Sequence, residues 1–253
     1  MANYENQPVR YGASAAGAVG AIDEGLRAYM LRVYNYMAIG LGLTGVAAYL
    51  TYSLSFQDAG GGQLVMTGLG QALFGSPLMW VIIFAPLALV FFLSFRIQTM
   101  SVGAAQTTFW VYASLVGVSL ATIFVVYTAE SITQVFFITA ATFGAMSLWG
   151  YTTKRDLTGM GSFLFMGLIG IIIASIVNIF LASSALGFAI SIIGVLVFTG
   201  LTAYDTQRIK EMYSISDDGT VAGRKAIMGA LSLYLDFINL FLMLLRLFGQ
   251  SRE

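Results

Sequence analysis

Long stretches without a charged residue dominate this sequence. Hydrophobic residues make up 58% of the 253 positions and charged residues 9%, and the mean hydropathy is +0.84. A soluble domain does not have such a composition, and a membrane-spanning helix needs about 20 apolar residues. The stretches are apolar on every face, whereas barrel strands alternate, so we predict an all-α membrane protein. The charge-free stretches are 33–57, 59–95, 97–129, 131–153 and 157–204.

These stretches, together with a last apolar segment, divide the chain into seven spans. Residues 1–28 are small or polar and lack the pattern of a signal peptide, so we predict a mobile N-terminal arm. The alternative is an interfacial helix that begins within 21–29 and leads into the first span. Residues 29–253 are predicted to form one transmembrane domain. The spans are predicted near 31–52, 77–95, 104–127, 132–150, 162–181, 186–204 and 227–248.

The distribution of Lys and Arg predicts the orientation, because these residues collect in cytoplasmic loops. With the N-terminus in the cytoplasm, all the basic residues except Arg246 and Arg252 lie on the inner side. Arg246 lies near the end of the last apolar segment and Arg252 follows it. Both lie on the outer side of the membrane only if this segment crosses completely. About 22 residues at a rise of about 1.5 Å span about 33 Å, which favours a complete crossing over a re-entrant helix.

Three absences in the composition exclude whole classes of function. The chain has no Cys and no His, which excludes disulfides, thiolate chemistry and zinc or copper sites built on sulfur or nitrogen. Ions that take only oxygen ligands, such as calcium, remain as candidates. Twelve basic and twelve acidic residues give no net charge, so we expect no nucleic-acid partner. We also expect no bound cofactor.

Two acidic residues stand out against this apolar background. Asp236 lies in the middle of the segment 227–248, and Asp205 closes the preceding apolar run. A carboxylate at the depth of a bilayer costs a few kcal/mol, so it faces a polar interior and marks an ion or proton path. The bland alternatives are an interfacial ion pair between Asp205 and Arg208, and a buried structural hydrogen bond for Asp236.

Spacing places other polar residues on the same faces as the two acids. Ser232, Asp236 and Asn239 are four and three residues apart and share one side of a helix, and Thr202 lies three residues before Asp205. If these faces meet, the carboxyl groups would share a proton and titrate as a coupled pair. Calcium could also offset their repulsion, but it takes six to eight oxygen ligands, so we predict transient occupancy.

Two segments of this sequence carry a resemblance to a known family. AYDTQRIK at 203–210 and LSLYLDFINLFLMLLRLFG at 231–249 resemble the paired signatures of the transmembrane Bax inhibitor motif (Bax inhibitor-1-like) family. The resemblance implies a seven-helix bundle with the last helix at its centre. It also implies that Asp205 and Asp236 form a pH-sensing pair that controls a calcium leak, and that Arg96, at the end of the second span, pairs with the first of these acids. Without the resemblance, Arg96 is equally well explained by the orientation rule.

The resemblance is to bacterial members of the family, which implies the bacterial inner membrane and the lipid bilayer as the surroundings. The leading hypothesis is a pH-sensitive calcium-leak channel or channel-like transporter, with calcium and protons as its ligands. The alternative is a membrane adaptor that modulates a membrane protease or a stress response through the arm at 1–28. Intramembrane aspartyl proteases share only the pair Tyr204 and Asp205, so we expect that the protein is not an enzyme.

Overall fold

Seven long apolar helices account for most of the chain in the computed structural model, which describes residues 12–60 and 63–252, with side chains from residue 24 onward. Each of the seven is long and apolar enough to cross a membrane, which confirms the predicted all-α membrane fold. The elements in chain order are α1 (Gly12–Ser55), β1 (Phe56–Asp58), β2 (Leu64–Met66), α2 (Gly68–Phe74), α3 (Leu78–Arg96), a 3-10 turn (Ile97–Thr99), α4 (Val102–Leu120), α5 (Ile123–Val126), α6 (Ala129–Thr152), α7 (Thr158–Leu181), α8 (Ser184–Glu211) and α9 (Gly219–Phe248).

The beginning of the chain differs from the prediction of a mobile arm at 1–28. The first span is the end of α1, which is already helical at Gly12, so residues 12–28 continue it rather than forming an arm. The segment 12–21 is rich in alanine, the residue with the highest helix propensity, and this favours the extension. Residues 1–11 lie outside the described part of the chain.

Side-chain caps explain why several helices begin where they do. In each case a hydroxyl or carboxylate oxygen accepts the backbone N–H of the residue three positions later, a group that has no partner within the helix. Ser183 and Asp218 lie before the spans predicted near 186–204 and 227–248, so α8 and α9 begin earlier than hydrophobicity alone predicts. The capping residues are Thr67 for α2, Ser101 for α4, Thr128 for α6, Ser183 for α8 and Asp218 for α9.

The last helix lies at the centre of the bundle, as the family resemblance implied. It packs against α1, α4, α6 and α8. In its most apolar window 67% of the residues are buried, compared with 11% for α7 at the periphery. The side chains of α9 therefore meet other helices on nearly every side, and a polar side chain there needs a partner or a cavity.

Contacts at its two ends show that α9 crosses the bundle completely. Near its start, Arg224 donates hydrogen bonds of 2.7 Å to the carbonyl oxygens of Gln98 and Met100, just before α4. Beyond its end, Gln250 N–H donates to Ser131 Oγ at 2.8 Å, at the beginning of α6. We call the first side, with the α3–α4, α6–α7 and α8–α9 connections, the basic face, and the opposite side, with β1 and β2 and the C-terminus, the hairpin face. Arg252 lies on the hairpin face.

A buried tyrosine fixes α9 against two other helices. Tyr234 is fully buried, and its hydroxyl is 2.6 Å from Thr44 Oγ1 on α1. The Thr44 hydroxyl also lies 2.8 Å from the carbonyl oxygen of Ala113 on α4. In the same region α1 and α4 approach closely, since a Cβ on Gly117 would overlap the Thr44 carbonyl oxygen. These contacts set the rotation of α9, and with it the direction of the neighbouring Asp236.

We expect Tyr234→Phe to lower the free energy of unfolding by about 1 kcal/mol, because it removes a buried hydrogen bond between helices and leaves the ring packing intact. Thermal unfolding of the purified protein in detergent measures the effect. Tyr49→Phe is the matched control, because Tyr49 is exposed and makes no side-chain hydrogen bond among the described residues. Equal stability of the two variants would contradict a role for Tyr234 in fixing α9.

Candidate functional site

A cavity of about 900 Å³ lies between α3, α7, α8 and α9, and we call it the pair cavity. Along α7 its lining extends from Gly161 to Ile179, which at about 1.5 Å per residue is about 27 Å and most of the depth of a bilayer. Most of the lining side chains are apolar. Its polar lining includes Asp205 and Arg208 on α8 and Ser232, Asp236 and Asn239 on α9.

The two acids predicted from the sequence meet in this cavity. Asp236 is only 4% exposed, while Asp205 is partly buried, and their carboxyl groups lie within side-chain hydrogen-bonding reach of each other. Among the described residues, Asp236 Oδ2 receives no hydrogen bond from any donor. Since two ionised carboxylates can only accept hydrogen bonds, a bond between them requires a proton on one of them. A hydrogen bond between the two carboxyl groups would therefore require one shared proton.

The positive charge that acts on Asp205 comes from its own helix. Arg208 lies one turn further along α8, lines the same cavity and acts on the Asp205 carboxylate through its charge. The two do not form a close ion pair, since Lys225 and Asp217, at 2.6 Å, are the one such pair in the part of the chain that the structure describes. Arg208 therefore lies at the edge of the site without a direct ion pair to Asp205.

Arg96 is not brought to the acids. It is the last residue of α3 and its side chain is exposed. It lines neither of the two cavities that Asp205 lines, and it makes no ion pair among the described residues. The buried residues of this turn are Leu93 and Ile97, so the helix turns Arg96 outward. The pairing with Asp205 that the resemblance implied is absent from this structure.

The supporting polar residues divide into two groups. Ser232 and Asn239 line the pair cavity on the same face of α9 as Asp236, together with Met243. Asn239 Nδ2 donates to the carbonyl oxygen of Leu235 at 2.8 Å, which leaves its own oxygen for a ligand. Thr202, in contrast, is fully buried outside the cavity.

A three-residue step turns a helix by about 300°, which explains the position of Thr202. Relative to Asp205, its side chain is rotated by about 60°, into the packed interior. Its hydroxyl donates to the carbonyl oxygen of Phe198 at 2.8 Å. Sequence reasoning missed the contribution of Arg208 to the cavity, for which its spacing from Asp205 was the available signal. It also missed Ser162 and Ser175 on α7, for which no signal was available.

A second cavity connects the acids with the basic face. It has a volume of about 350 Å³ and shares Asp205, Arg208 and Ser232 with the pair cavity. Arg224 and Lys225 also line it, but Arg224 donates to backbone carbonyls and Lys225 to Asp217 and a backbone carbonyl. Asp205 thus stands between the two cavities.

Asp156, in the α6–α7 connection on the basic face, provides a contrasting acid. Its pKa is lowered from the ordinary value because Thr158 donates hydrogen bonds to the carboxylate from its side chain and from its backbone N–H, the latter at 2.8 Å. A lowered pKa in the folded state stabilises the fold above the ordinary pKa, and this contribution is lost only when the pH falls through the lowered value. Asp156 therefore stays ionised throughout the neutral range.

We expect Asp156→Asn to leave any pH response of the protein between about pH 5 and 8 unchanged, because an acid with a lowered pKa does not titrate there. The measurement is the pH dependence of thermal unfolding and of ion flux, compared with the parent protein. A response that shifts in this variant would show that Asp156, rather than the buried pair, senses pH.

The comparisons with known proteins agree over nearly the whole chain. The family described as Inhibitor of apoptosis-promoting Bax1 matches residues 26–253. Inner membrane protein YbhL from Escherichia coli K12 is 50% identical over 231 residues, which cover 90% of this chain and 94% of that protein. Protein RP147 from Rickettsia prowazekii is 53% identical over 239 residues, covering 91% and 93%. A protein from Caulobacter vibrioides is 48% identical over 236 residues, covering 92% of each.

Proposed function

Because this chain belongs to the Bax inhibitor-1 family of membrane proteins, we propose that it is a pH-sensitive calcium-leak channel or channel-like transporter. In this proposal the carboxyl groups of Asp205 and Asp236 control the path by sharing, losing or regaining a proton. The observation that carries the proposal is the buried Asp236, whose Oδ2 receives no hydrogen bond among the described residues and which lines the same cavity as Asp205.

A shared proton and a bound cation are two solutions to one electrostatic problem. If both carboxyl groups ionise, two negative charges lie close together among apolar helices, where their repulsion is much stronger than in water. Either a proton or a calcium ion relieves that repulsion. Protons and calcium would thus compete for the same oxygens, and this competition makes calcium flux depend on pH.

The available oxygen atoms favour passage of calcium over storage. The pair cavity offers Asp205, Asp236, the side-chain oxygen of Asn239 and the hydroxyl of Ser232. Calcium takes six to eight oxygen ligands, so water would have to complete its shell. No cluster of three or more acidic side chains occurs among the described residues. Such a site would hold a hydrated ion briefly and release it.

The name of the Escherichia coli relative supports a location in the bacterial inner membrane. We propose the same location here, with the basic face in the cytoplasm, since Lys and Arg favour cytoplasmic loops. The second cavity, which Asp205 lines, would then give the pair access to cytoplasmic water, and the cytoplasmic pH would set its protonation.

Calcium flux into proteoliposomes that contain a calcium indicator tests the proposal. We expect the parent protein to carry calcium at a rate that changes with pH, and Asp205→Asn and Asp236→Asn each to alter the rate and to flatten its pH dependence several-fold. Asn preserves the shape of the side chain but cannot share an acidic proton. Asp156→Asn is the matched control and should behave as the parent.

Unchanged flux and an unchanged pH profile in both single variants would contradict the channel proposal. The adaptor alternative, in which the protein modulates a membrane protease or a stress response, would then be the one to pursue. It assigns the contact to the N-terminal segment 1–28, so deletion of that segment should abolish the effect on the partner while the Asn variants retain it.

A further inference from the structure

A third cavity opens at the hairpin face, between the ends of α7, α8 and α9 on that side. Its volume is about 840 Å³, and its lining includes Asn178 at the end of α7, Ser183 in the α7–α8 turn, Ser191 on α8 and Arg246 on α9. These residues are polar, unlike the lipid-facing side chains around them. We call it the hairpin-face cavity.

The pair cavity and the hairpin-face cavity adjoin on α7 and on α9. On α7 the lining of the former reaches Ile179, and the lining of the latter includes the preceding residue, Asn178. On α9 the pair cavity reaches Met243, and the hairpin-face cavity includes Arg246, three residues later. Three residues rise about 4.5 Å along a helix, so less than one turn of α9 separates the two spaces.

One contact between α8 and α9 fills this short interval. Met243 is nearly buried and lies over Gly194, which is three residues from Ser191 of the hairpin-face cavity. A Cβ on Gly194 would be 2.8 Å from both Cγ and Sδ of Met243, so the thioether already occupies the space that a side chain on α8 would need. Because Gly194 has no side chain, the Met243 side chain can pack directly against the backbone of α8 at this position.

We propose that Met243, seated on Gly194, is the barrier between the pair cavity and the hairpin-face cavity, and that turning its side chain aside joins them into one path across the membrane. Methionine suits this role because three rotatable bonds let it leave a site without movement of the backbone. An apolar constriction of this kind blocks ions by excluding water. That the ion is calcium rests on the proposed function, but the barrier itself does not.

The charge distribution around the barrier explains why its position matters. On one side the carboxyl pair offers oxygen ligands to a cation, and on the other side Arg246 presents a positive charge at the mouth. A cation that moves from the pair cavity toward the hairpin face therefore leaves the attractive carboxyl groups, passes the barrier and then meets the repulsive charge of Arg246. We expect the apolar contact to control whether ions pass, and Arg246 to reduce the rate of those that do.

The accessibility of single cysteines tests the barrier without any assumption about the ion. The chain has no cysteine, so one introduced residue is the only thiol. Asn239→Cys places it in the pair cavity, four residues before Met243, and Ser191→Cys places it in the hairpin-face cavity. A charged, membrane-impermeant maleimide is applied to membrane vesicles of each orientation, and labelling of Ser191→Cys identifies the orientation that exposes the hairpin face.

From the hairpin face we expect Ser191→Cys to react and Asn239→Cys to be protected. Adding Met243→Ala should make Asn239→Cys react from that face several-fold faster, whereas Met243→Leu, which preserves the bulk, should leave it protected. Continued protection in the Met243→Ala background would overturn the proposal, as would reaction of Asn239→Cys when Met243 is intact. Ala230→Cys, at a fully buried position of α9, monitors the fold. If it also reacts in that background, unfolding explains the labelling and the proposal fails.

Calcium flux separates this inference from the proposed function. In proteoliposomes we expect Met243→Ala to raise calcium flux several-fold while the response to pH persists, because the acids are unchanged. Faster labelling of Asn239→Cys without any calcium flux would contradict the calcium function and leave the barrier supported. The opposite result is a pH-dependent calcium flux whose rate Met243→Ala does not change, together with unchanged labelling of Asn239→Cys. That result would contradict the barrier and leave the proposed function supported.

Discussion

Replacement of Gly150 by leucine is expected to destabilise the bundle by about 3 kcal/mol or more, because it forces a side chain into a contact between two backbones. Gly150 lies on α6 directly against α8. A Cβ there would be 2.9 Å from the carbonyl carbon and Cα of Ala203 and still closer to its carbonyl oxygen. A helix backbone cannot swing away as a flexible side chain can, so α8 must shift as a whole. The yield and thermal unfolding of purified protein measure the loss.

Gly144→Leu supplies the control on the same helix. A Cβ at Gly144 would meet no atom within 4 Å, and the residue borders a groove of about 570 Å³ between α1 and α6. Leucine also has a higher helix propensity than glycine by up to about 1 kcal/mol. We therefore expect this variant to be as stable as the parent or slightly more stable. If both variants lose stability equally, the close approach of α6 and α8 is not what holds α8 in place.

The position of Gly150 connects the stability of the bundle with its candidate site. Ala203, its contact on α8, precedes Asp205 by two residues. On the same helix, Gln207 fixes the α6–α7 connection, where its side chain accepts from Leu157 N–H and donates to the Arg155 carbonyl oxygen, both at 2.8 Å. Asp205 is therefore held by close contacts of α8, as Asp236 is by the contacts of Tyr234 on α9, and we expect the two acids to separate by side-chain rotation.

The helices could be predicted from the sequence because each span is encoded locally, by an apolar run bounded by charges or by small and polar residues such as those at 182–185. Their ends could not, since a run of hydrophobicity contains no information about caps such as Ser183 and Asp218. The helix at 12–28 was missed because alanine and glycine look like a linker when hydrophobicity alone is considered. The hairpin of β1 and β2 depends on pairing between residues across a loop, as between Phe56 and Met66.

The candidate site was predictable where a single helix determines it and less so where several helices meet. Spacings of four and three residues place Ser232, Asp236 and Asn239 on one face whatever surrounds α9. Which side of α8 meets that face depends on tertiary packing, and the prediction failed there for Thr202. The cavity, with its lining from α7, and the barrier at Met243 need the relative positions of three helices, which no local pattern contains.

We expect Asp205→Asn and Asp236→Asn to be strongly non-additive in the pH dependence of calcium flux. If one proton is shared, either substitution removes the whole shared-proton response, and the double variant loses no more than each single variant does. Two independent acids would each account for part of the response, and their losses would add. The measurement is the change in flux between about pH 5.5 and 8 for the parent, both single variants and the double variant.

The pH dependence of thermal stability, measured for the same four proteins, distinguishes two acids that share a proton from two acids that are merely buried. In the parent, raising the pH removes the shared proton and sets two like charges against each other at the contact of α8 and α9, so stability should fall with pH. Each single Asn variant has only one ionisable group there, and the amide Nδ2 can donate to the remaining carboxylate. The burial of the one remaining carboxyl group still disfavours its ionised form, so we expect a smaller fall in each single variant and none in the double variant. If the losses of the two single variants merely add up to the loss of the double variant, the acids titrate separately, and a shared proton could then not be the sensor.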